Sequence, residues 1–371
     1  KLRCTSFEQM AGEITGKNMS VIVFGAGVIG TVTVPQILQR YNIWSSVLYY
    51  IDNNCKEQTG KVNLGNREVD IVSAEQLKDA GSNTAIIIAI SRYAEVLEQL
   101  GNMPCTNDMY CYIMPMMCIH NFCSGISSGV AVLADEQLIP KKIHYMWLGK
   151  NPIPDNLQKC IDSWKKYCPD YEIIQWDESN YDLSKNTYME QAYTAGAYGF
   201  VPDYARLDIL YNHGGIYMDT DVEVVRNLDH LLYQQAFCGV EKWQTINFGG
   251  CSGALKGHDA ILRFLERRES LSFLNEDGSQ NRTTCGYYDT NVALKNGYKM
   301  DGKTQNVMGM NIYAFDYFHP YDYMSGQTVK TKNTYTVHRF NGGWMDEKMR
   351  QENINTEKEY NRIYQECMCD R

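Results

Sequence analysis

No stretch of this sequence approaches the ~18 consecutive apolar residues that cross a bilayer, so no membrane-spanning helix is expected. It has no paired C-x-x-C knuckles. Its 13 cysteines are odd in number and irregularly spaced, which excludes a structural zinc ribbon and argues against a disulfide framework. Basic residues are not in surplus. Lys and Arg total 35 against 44 Asp and Glu, a net charge of −9, whereas a general nucleic-acid binder carries a basic surface. The first twenty residues are polar and the apolar run at 21–24 is too short for a signal core. There is no low-complexity tract and no internal repeat. These absences lead to the expectation of reduced thiols in the cytoplasm, with membrane contact limited to the inner face. What remains is an ordinary globular composition, 44% hydrophobic and rich in tyrosine, over 371 residues. That is enough for two domains.

The first ~120 residues alternate between buried-strand and helix patterns. "MSVIVFGAGVIG" reads as a strand and a glycine turn, "TVTVPQILQRY" as a helix, and "SVLYYIDNN" as a strand ending at Asp52. "SAEQLKDAG" reads as a helix, "NTAIIIAIS" as a buried strand and "RYAEVLEQLG" as a helix. Continuous apolar strands between helices imply a parallel sheet. Gly25, Gly27 and Gly30 form G-x-G-x-x-G after the first strand, with Asp52 about 20 residues further on, which is the dinucleotide fingerprint in spacing and context. The glycines would let a pyrophosphate approach a helix N-terminus, with Asp52 on a ribose hydroxyl. The alternative is that the glycines serve only the tight turn. The expected organisation is a Rossmann-like domain over 1–125, a linker of small residues over 126–138, and a second α/β domain over 139–371.

The second domain opens with "KIHYMWLG", a strand stopped by Gly149. "NLQKCIDSWKKY" is a helix and "YEIIQW" a strand. "VPDYARLDILYNHGG" is a helix with Pro202 in its first turn and glycine at its end. Asp203 and Arg206 lie three apart and share a helix face. The chain then runs through "GGIYMDTDVEVV", placing Asp219 and Asp221 at a strand exit, the edge where open α/β sheets bind ligands. In extended chain, residues i and i+2 point the same way, so both carboxylates reach one site. Like charges so close call for a cation or a shared proton, and hard oxygen ligands suit Mn²⁺ or Mg²⁺.

"KIHYMWLG", "PDYARLDILYNHGGIYMDTDVEVV" and "VHRFNGGW", in this order over residues 138–345, resemble the family 32 glycosyltransferases, and more distantly the glucosylating clostridial toxins. The resemblance implies a GT-A fold, a nucleotide-sugar donor (UDP-galactose or UDP-glucose favoured over GDP-mannose) and a saccharide acceptor of the bacterial surface-polysaccharide kind. It implies that Trp147 stacks on the base and that Asp203 and Arg206 face the donor sugar and phosphate. Asp221 would ligate the metal, Asp219 would contact ribose and metal, His338 would complete the metal site, and Trp344 would belong to a closing lid. Asn247 resembles an acceptor-side asparagine. Asp289 would face the reacting carbon or, equally, cap its helix. The chain departs from the pattern at Arg339, where many members carry a second histidine or an aromatic. The family implies retention of configuration. No firm nucleophile stands out, which fits a front-face attack with the diphosphate taking the acceptor's proton.

Other classes stay open at this point. An NAD-dependent oxidoreductase or epimerase needs an acid/base set such as Tyr-x-x-x-Lys, and "YAEVL" from Tyr93 lacks the lysine. A non-catalytic nucleotide-sugar-binding module would not need the intact aspartates and Arg206. A toxin-like protein modifier would call for a secretion signal.

Overall fold

Ser20–Phe24 enters the core of the first unit as an apolar strand with four of its five residues buried. In the computed structural model, which describes residues 1–55, 60–343, 345 and 347–369, it is the centre of a seven-stranded sheet. The order is Leu2–Arg3, Tyr110–Ile113, Thr84–Ile88, Ser20–Phe24, Val47–Ile51, Arg67–Val72 and Lys61–Leu64. Every neighbouring pair is parallel except the last, a hairpin. The order reverses beside Ser20–Phe24, the switch point of a doubly wound sheet, and the glycine turn sits at that strand's C-terminal end. A Cβ on Gly30 would lie 1.9 Å from the Gly25 carbonyl oxygen, so only glycine lets the turn close this tightly. The segment Ala74–Asp79, expected as a helix, forms a 3₁₀ turn.

The chain divides into two compact units. The first takes Lys1–Ser124, Tyr323–Gln327 and Glu347–Arg371, and the second takes Gly125–Asp322 and Thr328–Asp346. This differs from the expected boundaries at three points, the first being the short segment Tyr323–Gln327, which joins the first unit. The C-terminal helix Glu347–Cys369 belongs to the first unit, not to a domain running to 371. Its Tyr360, Ile363 and Cys367 are buried, the Tyr360 hydroxyl meets His120 Nε2 at 3.0 Å, and Arg92 pairs with Glu352 at 2.7 Å. An amphipathic stripe shows that a helix covers something but not what it covers. The expected linker is likewise part of the second unit. Gly129 bridges to Thr304, and the Val132 backbone exchanges hydrogen bonds of 2.9 and 2.7 Å with the Asn311 amide.

The second unit is built on a mixed eight-stranded sheet. Lys142–Met146 pairs in parallel with both Glu172–Trp176 and Gly215–Tyr217. Beyond Gly215–Tyr217 the sheet continues antiparallel through Ser252–Ala254 to Ala236–Val240. The helix Pro202–His213 begins with proline at its first position and ends at Gly214. Residues 203–210 are buried without interruption, so this helix lies inside the unit rather than on its surface. Gly214 and Gly215 have φ of +65° and +97°, and a Cβ on Gly215 would lie 2.9 Å from His144 Nε2. The glycine pair is therefore what turns the buried helix directly into the strand that carries the two aspartates.

The helix Asp155–Tyr167 backs the segment just after those aspartates. Its fully buried Trp164 donates Nε1–H to the Val222 carbonyl at 2.7 Å, and Ser163 Oγ accepts the Val224 N–H at 2.9 Å. Tyr145 meets Trp164 edge-on, ring centroids 5.5 Å apart.

His144 is fully buried in the strand Lys142–Met146. One ring nitrogen meets the Gly214 carbonyl at 2.9 Å and the other takes the Trp176 indole N–H at 3.1 Å. With one nitrogen donating and the other accepting, the ring is neutral. Burial pushes its pKa down to about 4. The folded value lies below the unfolded one, so the stability His144 contributes is complete above about pH 6.5 and is lost as pH falls toward 4. The loss is about 3 kcal/mol at full protonation. The urea midpoint of the wild type is expected to fall over this window. His144→Gln, already weaker at pH 7, should show a flatter pH dependence, and parallel curves would count against the assignment.

Candidate active site

Asp203 and Arg206 sit on one face of the buried helix, each 6% exposed. Arg206 Nη2 donates to Asp203 Oδ1 at 3.2 Å and lies 3.6 Å from Asp219 Oδ1, while Nε donates to the Pro202 carbonyl at 2.9 Å. Burial lifts the Asp203 pKa, and the Arg206 and Arg268 charges offset this only in part. For Arg206, burial alone would favour loss of its proton, but Asp219 and Asp203 outweigh that and hold the guanidinium charged.

The strand Gly215–Tyr217 delivers Asp219 and Asp221. The Asp219 N–H donates to the Gly249 carbonyl at 2.8 Å. A Cβ on Gly249 would lie 2.1 Å from Asp219 Oδ2 and 3.1 Å from Arg206 Nη1, so the bare glycine backbone makes room for both groups. After the aspartates, Val222–Val224 pairs antiparallel with Thr336–His338, in the register Val222 to His338. That register sets His338 Nε2 3.2 Å from Asp221 Oδ1. The other Asp221 oxygen accepts the Asn341 N–H at 2.8 Å. Burial would raise the Asp221 pKa, but His338 and the Asn341 N–H leave it lowered. Burial would lower that of His338, but the Asp221 carboxylate, aided by Asp219 and Glu241, leaves it raised. Ligand atoms of Asp219, Asp221 and His338 all lie within 4.8 Å of one another. Two carboxylates and one imidazole at this spacing fit a hard divalent ion such as Mn²⁺ or Mg²⁺.

Trp147 is half-buried at the exit of Lys142–Met146, its indole N–H donating to the Asn151 carbonyl at 2.9 Å. Arg339 pairs with Glu223. Trp344 lies outside the described residues. Two expectations change. Asp289, 2% exposed, presents both carboxylate oxygens to Arg268 Nη2 at 2.8 Å. It lies in the second turn of the helix Cys285–Lys295, whose cap position is Thr284, so the cap assignment does not describe it. Burial lifts its pKa to about 6 even beside Arg268. Asn247, expected to contact the acceptor, has its amide committed within the protein. Its oxygen takes the N–H groups of Gly249 and Gly250 at 2.8 and 2.9 Å, and its Nδ2 donates to Glu241 Oε1 at 2.6 Å.

The sequence reading missed Gly249, Arg268 and Glu241. "NFGG" held a signal for the first, because adjacent glycines next to a motif mark a close backbone approach. Nothing local marks the other two. In the first unit, Asp52 accepts the Ala26 N–H at 3.0 Å and the Asn54 N–H at 2.9 Å, so the carboxylate braces the glycine turn. The Gly30 carbonyl accepts the buried Tyr50 hydroxyl at 3.0 Å.

The two carboxylates thus leave the mixed sheet at a strand exit, beside the buried Asp203–Arg206 pair. Residues 154–238 match the family described as "Glycosyltransferase sugar-binding region containing DXD motif". The chain is 34% identical over 143 residues to inositol phosphoceramide mannosyltransferase 3 of Schizosaccharomyces pombe, covering 36% of this chain and 38% of that protein. It is 38% identical over 109 residues to mannosyl phosphorylinositol ceramide synthase SUR1 of Saccharomyces cerevisiae, 27% of each. The chain thus matches well under half the length of either relative. Among solved structures, the galactosyltransferase LgtC in complex with donor and acceptor sugar analogues aligns over 58% of this chain and 94% of that one, at 13% identity and a TM-score of 0.30.

Proposed function

We propose that this protein is a metal-dependent, retaining glycosyltransferase that moves a hexose from a nucleotide-diphosphate sugar to a saccharide acceptor. The observation that carries the reading is the convergence of Asp219, Asp221 and His338 within 4.8 Å, with Arg206 3.6 Å from Asp219. Asp219, Asp221 and His338 would hold a divalent ion, which when bound supplies charge against the leaving diphosphate. Arg206 adds a fixed positive charge to the same side. It costs little reorganisation in the transition state because Asp203, Asp219 and the Pro202 carbonyl already orient it. Asp203, buried and beside Arg206, receives donor-sugar hydroxyls. Trp147 at the strand exit receives the base.

The mannosyl names of the fungal relatives support GDP-mannose as a donor, alongside the UDP-hexoses that the sequence resemblance favours. A cytoplasmic location, with contact at the inner face of a membrane, belongs to the same proposal and rests on cysteine count and spacing. We assign the glycine turn of the first unit to folding, because Asp52 and the Gly30 carbonyl are engaged within that unit.

A thermal-shift panel of UDP-glucose, UDP-galactose, GDP-mannose and NAD, each with and without Mn²⁺, tests the reading. One nucleotide sugar is expected to raise the melting temperature by about 5 °C at saturating concentration, and only with the ion present. A shift with NAD alone would replace the transferase by the oxidoreductase.

A further inference from the structure

Glu241 follows the strand Ala236–Val240 and opens the turn leading to the Asp219 loop. Its backbone is fixed, with its N–H donating to the Thr245 carbonyl at 2.9 Å and its carbonyl accepting the Gln244 N–H at 2.8 Å. Its side chain is held from one side. Asn247 Nδ2 donates to Oε1 at 2.6 Å, and the same amide pins Gly249 and Gly250 through its oxygen. Gly249 in turn accepts the Asp219 N–H at 2.8 Å. Glu241 is therefore tied to the aspartate loop by an unbroken run of hydrogen bonds. Among the described residues the carboxylate has one side-chain donor, on Oε1, and the residue keeps some solvent exposure. Its charge reaches the His338 imidazole, and burial lifts its own pKa, which Asn247 and His338 only partly offset.

Three roles are open to such a carboxylate. As a metal ligand it falls outside the Asp219, Asp221 and His338 group. As a neighbour of the donor diphosphate it would set like charges together, which is unfavourable. A neutral partner that donates hydrogen bonds remains, and a sugar hydroxyl is of that chemistry. We propose that Glu241 is the acceptor-side carboxylate of this site, its Oε2 accepting a hydrogen bond from the acceptor hydroxyl that attacks. The assignment rests on the transferase reading and deepens it. In the step, the acceptor oxygen bonds to the anomeric carbon as the bond from that carbon to the diphosphate oxygen breaks. The electron pair leaves with the diphosphate, and the acceptor's proton passes to a diphosphate oxygen. Glu241 orients the hydroxyl and makes or breaks no covalent bond. Asn247, whose amide oxygen takes two backbone N–H groups and whose Nδ2 donates to Glu241, is a positioning residue that presents Glu241.

Glu241→Gln tests this, because glutamine keeps an oxygen for the Asn247 amide and removes only the charge. Two quantities are measured with Mn²⁺: the thermal shift given by UDP or GDP, and the rate of hexose transfer from the matching nucleotide sugar to free mannose, galactose or lactose. The nucleotide shift is expected to be retained while transfer falls about 10–100-fold through a raised acceptor KM, the range for losing a charged hydrogen bond. Unchanged transfer overturns the assignment. So does a nucleotide shift that falls in parallel with transfer, since that places Glu241 in the support of the aspartate loop. If the wild type releases no nucleotide diphosphate from any of the three donors, the transferase reading itself fails and the assignment goes with it. Should Glu241→Gln fold poorly, Asn247→Asp gives a second arm. It puts a second carboxylate against Glu241 and should raise the acceptor KM at an unchanged nucleotide shift, and the same two results overturn the assignment.

Discussion

Asp221→Asn is expected to abolish metal-dependent transfer while the protein stays folded. Asparagine matches aspartate in size and keeps an oxygen for the Asn341 N–H, now 2.8 Å from Asp221 Oδ2. The backbone carbonyl of residue 221 still accepts the Arg339 N–H at 3.0 Å, so the pairing with Thr336–His338 persists. What is lost is one of the two carboxylate charges that would hold the cation. Changing an outer-shell partner of a metal ligand commonly costs 10–100-fold in affinity or activity, so loss of a ligand charge should exceed about 100-fold. The side chain of Asp221 is only 14% exposed, so water replaces the missing charge poorly. Turnover across a Mn²⁺ titration, with the melting temperature recorded in parallel, is the measurement. Near-normal transfer by the folded variant would falsify the metal role of Asp221.

Gly249→Ala is the second large effect, and it separates geometry from charge. The new methyl would lie 2.1 Å from Asp219 Oδ2, too close for the carboxylate to stay, and 3.1 Å from Arg206 Nη1. Asp219 has room to move because its side chain is 26% exposed, whereas Arg206 is fixed at 7%. The strain is therefore relieved by swinging Asp219 away from Asp221 and Arg206, with little cost to the core. Misplacing a functional group by about 1 Å can cost about 100-fold in rate, and that is the expected fall in transfer. The melting temperature should change by no more than a few degrees, because the partly exposed Asp219 side chain takes up the clash. Gly12→Ala serves as the control. Its Cβ meets nothing within 4 Å on the helix Phe7–Gly16, so it should leave turnover unchanged. A Gly249→Ala variant with wild-type turnover would show that the closeness of Gly249 to Asp219 has no bearing on the chemistry.

The parts of the fold that were legible in the sequence are those set by local rules. Pro202 and the glycine pair at 214–215 mark the ends of the buried helix, and the structure begins and ends it there. The apolar runs at 20–24 and 84–88 announce parallel, doubly covered strands, and both lie in the middle of the first sheet. Asp219 and Asp221 declare themselves through like charge at a strand exit. The rest depends on partners far away in the chain. The meeting of His338 with Asp221 depends on a strand register across more than a hundred residues, and a lone histidine carries no local sign of it. Asp289 looked available until Arg268, from a different helix, was seen to occupy it. Asn247 drew notice for its surroundings, yet its amide is spent on Glu241 and two backbone N–H groups. The hairpin Lys61–Leu64 with Arg67–Val72 did carry a signal, alternation around a turn with Gly65 at φ +60°, and the reading passed over it.

The pairing of Val222–Val224 with Thr336–His338 has a consequence for biosynthesis. A ribosome that has released the chain through Val224 has already made both carboxylates, but the imidazole that meets Asp221 is more than a hundred codons away. Until then the nascent chain offers only two neighbouring acids, which bind divalent ions weakly and without selectivity. On the proposed function, tight cation capture would begin only after nearly the whole second unit has left the exit tunnel. A chain truncated before Thr336 would keep the DXD motif but lack His338, the third member of the proposed cation site.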